Sequence, residues 1–231
     1  MATLPTNKTN VYLEIGKKKA LAGAIHWPGW LRAGQDEESA LKALYEAAPR
    51  YRRILAEPRF NFTLPADMSA FTVVERLEGN ATTDFGAPDI APSSDKQALD
   101  EQELTRQREI LMACWKAFDE AVASAQGREL RKGPRGGGRE IEGIVQHVLD
   151  SEASYFRRLG ESLPKDEAND RTEDLERRRQ FILETLASKA HIETPGQGPR
   201  GGKQWMPRYF VRRAAYHLVD HIWEIEDRLI E

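Results

Sequence analysis

Residues 212–231, RRAAYHLVDHIWEIEDRLIE, decide how the second half of the chain is read. Apolar side chains recur at helical spacing through Val211, Ala214, Ala215, Leu218, Ile222, Ile225 and Leu229, so the segment forms one face of an α-helix. Pro207 is tolerated in a first helical turn and marks where the helix starts; it ends near Ile230. His217 and His221 lie four apart, which places them about 40° from each other around the helix axis. The apolar stripe centres roughly a quarter-turn from this pair. Asp220, Glu224 and Arg228 are neighbours of the histidines, which therefore border the core rather than fill it.

Further upstream, residues 139–160, REIEGIVQHVLDSEASYFRRLG, repeat the arrangement. Ile141, Ile144, Val145, Val148, Phe156 and Leu159 form an apolar face, and His147 falls on its flank beside Ser151 and Ser154. A third helix is expected over residues 172–188, opened by Thr172 as its cap. A first helix is expected over residues 96–126. Four helices of this length joined by loops predict a four-helix bundle.

The chain before residue 79 reads differently. Residues 11–15 and 20–25 are short strand-like runs around GKKK, a hairpin pattern. HWPGW at 26–30 breaks regularity, because Pro28 and Gly29 favour a turn. Asp36 caps a helix through EESALKALYEAAPRYRRILA, with Ala40, Leu41, Leu44 and Ala48 on its apolar face. Pro49 is expected to kink or end that helix. Residues 70–77, AFTVVERL, read as a further strand. Residues 79–95, GNATTDFGAPDIAPSSD, are rich in Gly, Pro, Thr and Ser and read as a linker. The expected organisation is a small mixed α/β domain at 1–78, a linker at 79–95 and a helical bundle at 96–231, an α+β protein.

Bulk properties exclude some partners. The chain has 231 residues, a formal net charge of −3 and 31% charged residues, so no global field favours nucleic acid or anionic lipid. No apolar run approaches the roughly 18 residues of a membrane helix, and the first residues do not look like a signal peptide. A cytoplasmic location is expected. Cys114, the only cysteine, lies in the apolar stretch LMACWKAF and reads as a core residue rather than a nucleophile.

Three imidazoles on two helices can hold a metal such as zinc or nickel and leave a coordination position open. The pattern HxxxH alone is also compatible with solvated or hydrogen-bonded histidines, or with a cluster titrating near neutrality. His26 and His191 lie in less regular surroundings. Glu152, Glu224, Glu226 and Asp227 are near the histidines in sequence; each could accept a ligand N–H or act as a general base. There is no HExxH, and no Ser/His/Asp or Cys/His arrangement. Two similar loops, GPRGGG at 133–138 and GPRGG at 198–202, read as flexible basic connections or as an anion-contacting mouth of a pocket.

The run from residue 96 to the C-terminus resembles the DinB-like superfamily of four-helix metalloenzymes. The resemblance rests on His147 in IVQHVLDSE and on His217 and His221 in RRAAYHLVDHIWEIEDR, and it covers a little over half of the chain. It implies that His147, His217 and His221 bind a divalent metal ion, zinc or nickel. It further implies a metal-dependent transferase or hydrolase acting on a small molecule, with low-molecular-weight thiols such as bacillithiol or mycothiol as one substrate class. The alternatives are a non-catalytic metal- or ligand-binding stress-response module and a partner-binding protein.

Residues 11–44, VYLEIGKKKALAGAIHWPGWLRAGQDEESALKAL, are similar to HicB-like small α/β domains, which bind a partner toxin. No DNA-binding module is evident, so that role is not carried over. Trp27 and Trp30 beside Pro28 are expected to pack within their own domain or against the bundle. No nucleic-acid or membrane partner is expected, and a homodimer stays open.

Overall fold

A computed structural model describes residues 8–56, 60–132, 138–164, 171–198, 202 and 204–230. The chain divides into two compact units, residues 1–94 and 95–231. The first holds a sheet with one long helix and the second is helical, a mixed α+β chain.

In the first unit, β1 (Thr9–Ile15) and β2 (Ala20–Ala24) form an antiparallel hairpin. The GKKK turn is closed by Gly16 N donating to Lys19 O at 2.9 Å. Gly23 faces Tyr12 across the hairpin, and a Cβ there would meet the tyrosine ring at 2.5 Å. β3 (Leu31–Gly34) adds antiparallel to β2, directly after the HWPGW turn. This strand was not expected: LRAG is too short to display an alternating pattern. α1 (Glu37–Ile54) follows, capped by Asp36, which accepts from Ser39 N at 2.8 Å. The helix does not end at Pro49. Tyr51, two residues later, is fully buried, stacks on Trp30 and donates its hydroxyl to Pro28 O at 2.7 Å. Tertiary packing of the last turn outweighs the one backbone bond that proline removes. The crossover returns as β4 (Phe71–Glu78), parallel to β1, giving the order β3-β2-β1-β4.

Trp30 packs inside this unit, its Nε1 donating to Leu44 O at 2.9 Å, and Trp27 meets Phe62 edge-on. Residues 79–94, expected as linker, fold with the first unit and contain a short helix, α2 (Ala81–Phe85). Glu14 anchors them from β1. Its buried carboxylate accepts from Thr83 Oγ1 at 2.5 Å and from Asp89 N at 3.0 Å. Composition suggested a linker; one buried acceptor on the sheet gives the tract a fixed path.

The second unit contains α3 (Glu101–Ala125), α4 (Ile141–Arg158), α5 (Arg171–Lys189) and α6 (Pro207–Arg228). α6 packs against α3 and α4, and α5 packs on α3. Pro207 occupies the first turn of α6 as its fixed φ allows. α5 already includes Arg171, so Thr172 lies within its first turn and is not the cap. The stripe from Val211 to Ile225 is buried, and Arg212 and Arg213 are buried with it. Arg212 forms a paired contact with Asp95, Nε to Oδ2 at 2.5 Å and Nη2 to Oδ1 at 2.9 Å. Arg208 reaches Glu103 Oε2 at 2.6 Å. These two arginines tie the start of α6 to the first turn of α3 and to the chain leading into it. Cys114 is fully buried in α3 and burial pushes its thiol up to about 12, which fits a core residue. No helix among the described residues is long and apolar enough to cross a membrane.

Candidate metal centre

α4 and α6 pack together, and that contact brings the three predicted histidines to one place. His217 Nε2 lies 3.2 Å from His147 Nε2 and 3.2 Å from His221 Nε2. One ring nitrogen from each histidine lies within 4.8 Å of the other two. His221 is 7% exposed, deeper than the flank position read from the helical wheel, because α6 is covered on most sides. His147 and His217 are part-buried. His26 and His191 are exposed and lie outside this group; His191 pairs with Glu101 at 3.2 Å.

The orientation of His221 is set from behind. Its Nδ1 donates to Glu224 Oε2 at 2.7 Å, and Arg228 Nη1 donates to Glu224 Oε1 at 2.6 Å. Arg228 is held in turn by residues 128–131. Its Nε donates to Arg131 O at 2.9 Å, Arg131 N donates to its carbonyl at 2.7 Å, and Leu130 bridges Leu229. The chain after α3 thus fixes Arg228, which fixes Glu224, which fixes the ring. A carboxylate only accepts, so the Nδ1 proton is assigned and the His221 Nε2 lone pair faces the other two rings.

That assignment leaves a deficit. His217 Nε2 has one ring nitrogen on either side and can carry at most one proton. A proton donated toward His221 leaves the contact with His147 unsatisfied; a proton received from His147 leaves two lone pairs facing each other across the His221 contact. A single cation between three lone pairs satisfies all of them. Tetrahedral coordination at the usual zinc–imidazole length sets neighbouring donors roughly 3.3 Å apart, close to the two 3.2 Å separations found here. The donor set therefore fits a divalent metal of the zinc or nickel type.

Burial, followed by the neighbouring His221, His147 and Arg213, pushes His217 down to about 2. His147 is lowered for the same first reason, burial, with Arg139 next. Both rings are neutral at physiological pH, the form that ligates.

Of the four carboxylates near the histidines in sequence, Glu224 is hydrogen-bonded to a triad ring. Glu152 points elsewhere. It is buried, accepts from Trp115 Nε1 at 2.6 Å and so ties α4 to α3. Burial raises its pKa, opposed in part by that bond. Glu226 and Asp227 are exposed. GPRGGG and GPRGG fall largely outside the described residues.

The protein-family comparison matches this part of the molecule. A model of the DinB superfamily covers residues 110–225, half of the chain, and spans all three histidines. The chain belongs to the DinB superfamily. No curated protein and no solved structure matches it. The match lies within the second unit, and the HicB-like expectation for the first is not confirmed.

Within the DinB unit, sequence reasoning missed the wall beside the triad. Tyr155 on α4 meets His217 edge-on at 5.7 Å between ring centres. Trp205, just before α6, lies 5.5 Å from Tyr155 and 4.8 Å from Tyr209. The Arg213 guanidinium sits 5.2 Å from the centre of Tyr155 and 5.9 Å from that of Trp205. The signal was present: Arg213, His217 and His221 repeat every four residues along one face of α6.

Proposed function

We propose that His147, His217 and His221 hold a divalent metal ion, zinc or nickel, and that this centre serves metal-dependent transfer or hydrolysis on a small metabolite, with a low-molecular-weight thiol as the leading substrate class. The observation that carries the reading is the convergence of three Nε2 atoms at separations one proton cannot satisfy. When bound, such an ion supplies a Lewis acid and lowers the pKa of a water or thiol in its open position.

The protein's own groups do the rest. Glu224 orients His221 and keeps its proton on Nδ1. The Arg131–Arg228 contacts hold Glu224 in place. Tyr155 packs edge-on against His217 and, with Trp205, lines that side of the site with aromatic rings.

The reading is tested on the purified full chain in two steps. Metal analysis after growth in zinc- and nickel-supplemented medium is expected to find one ion per chain in the wild type and none in His217→Ala. The loaded protein is then offered electrophiles together with small thiols, and loss of free thiol is followed. Catalysed loss that disappears in His147→Ala supports the enzyme. An ion bound without any turnover supports a binding module, and no bound ion removes the centre altogether.

A further inference from the structure

Arg213 is an anomaly in the DinB unit. It is 7% exposed, yet its Nε and Nη1 are buried with no hydrogen-bond acceptor among the described residues. Its immediate neighbour Arg212 differs: both Asp95 oxygens meet that guanidinium. Arg208, one turn earlier, has Glu103. Around Arg213 stand the Tyr155 and Trp205 rings, and Arg158 lies 5.8 Å from Trp205. Ring faces attract a cation but supply no lone pair to in-plane N–H groups. Arginine cannot shed its charge to escape the cost, because its pKa is far above neutrality. A buried, permanently charged donor without an acceptor destabilises the free protein and awaits an anion.

Its position says what that anion belongs to. Arg213 lies one turn before His217 on the same face of α6, and the two share Tyr155 as a neighbour. The charge is close enough to rank among the influences on His217, and Arg139 acts on both His217 and His147. Glu224 is committed to His221 and Arg228. The surroundings of the triad are therefore cationic on the Arg213 side.

We propose that Arg213 binds an oxyanion of the substrate, a carboxylate or a phosphate, beside the three histidines, so that the site selects small anionic metabolites over neutral ones. The anion completes the Nε and Nη1 hydrogen bonds, and the Tyr155–Trp205 wall keeps water from competing for them. The proposal rests on the reading of the triad as the reacting centre.

The test uses two thiols differing in one group, mercaptoacetate and the neutral mercaptoethanol. Each is titrated into cobalt(II)-loaded full-length protein and followed by thiolate-to-cobalt charge-transfer absorption. A charge-assisted contact is expected to favour mercaptoacetate by about tenfold or more in the wild type. In Arg213→Met the preference falls to within about twofold while cobalt content is unchanged, and Arg213→Lys keeps part of it. In metal-free protein the ¹⁵N resonance of Arg213 Nε, identified by its loss in Arg213→Lys, is expected to move with acetate or inorganic phosphate but not with chloride. The stronger of the two names the oxyanion. Equal affinity for the two thiols in the wild type, a preference that survives Arg213→Met, or an unmoved resonance overturns the proposal. A protein that takes up no cobalt but shows the Arg213 shift disproves the metal reading and keeps the anion site. A cobalt-loaded protein indifferent to the carboxylate does the reverse. Should Arg213→Met fail to fold, the wild-type resonance alone decides.

Discussion

Glu224 offers the sharpest test of how the site is held, because it touches no other part of the proposed chemistry. Its two oxygens accept from His221 Nδ1 at 2.7 Å and from Arg228 Nη1 at 2.6 Å. Glu224→Ala removes both bonds. The His221 ring can then turn, and its proton can move to Nε2, the atom that faces the other two histidines. Losing the carboxylate behind a ligating imidazole lowers metal affinity by about 10- to 100-fold, or about 1.4–2.7 kcal/mol. The Glu224 side chain is 30% exposed, so water replaces part of what is lost, and the lower end, about 10- to 30-fold, is expected. Glu224→Gln keeps the shape, but its amide group faces one of the two donors whichever way it turns; a smaller loss of about three- to tenfold follows. Zinc affinity of the full chain is measured by competition with a chromophoric chelator, with folding checked by circular dichroism. Alanine binding zinc within about twofold of wild type would refute the relay from Arg228 through Glu224 to His221.

Other expected outcomes bear on the frame around the site. Glu152→Gln keeps an acceptor for Trp115 and removes a buried charge. The folded pKa of Glu152 is raised above 4.5. Its contribution to stability is therefore full below 4.5 and is lost as pH rises through the raised value, and urea titrations from about pH 4.5 to about pH 8 should show the variant gaining stability relative to the wild type as pH rises. A variant that loses stability relative to the wild type over that range would reverse the sign assigned to that carboxyl. Asp95→Ala removes the carboxylate paired with the buried Arg212 guanidinium and should destabilise the protein by about 3–5 kcal/mol in urea unfolding; a loss under about 1 kcal/mol contradicts the pairing. Cys114 should resist thiol reagents in the native protein and react only on unfolding, since its thiol is fully buried; labelling at native rates would place it at an accessible surface.

Much of the helical unit was legible because its periodicity is strong. The stripe on α6 and the flank position of His147 follow from spacing, and the resemblance to DinB-like proteins supplied the expectation that their helices meet. What sequence could not rank was the carboxylates. Glu152 and Glu224 are both near histidines in the chain, but Glu152 lies on the side of α4 that meets Trp115, and only packing reveals this. Arg213 went unnoticed because a charge beside an apolar stripe usually reaches solvent; here the Tyr155 and Trp205 rings cover it. In the first unit, β3 is too short for a pattern, Pro49 is overridden by the packing of Tyr51, and residues 79–94 are ordered by Glu14, a single buried polar residue within an apolar strand.

X-ray absorption at the metal edge of the zinc-loaded protein tests the metal centre most directly. Three imidazole nitrogens at about 2.0–2.1 Å with one further light ligand are predicted, and the imidazole signal should fall in His147→Ala. A shell of oxygens without imidazole scattering, or a spectrum unchanged by that substitution, would contradict the account.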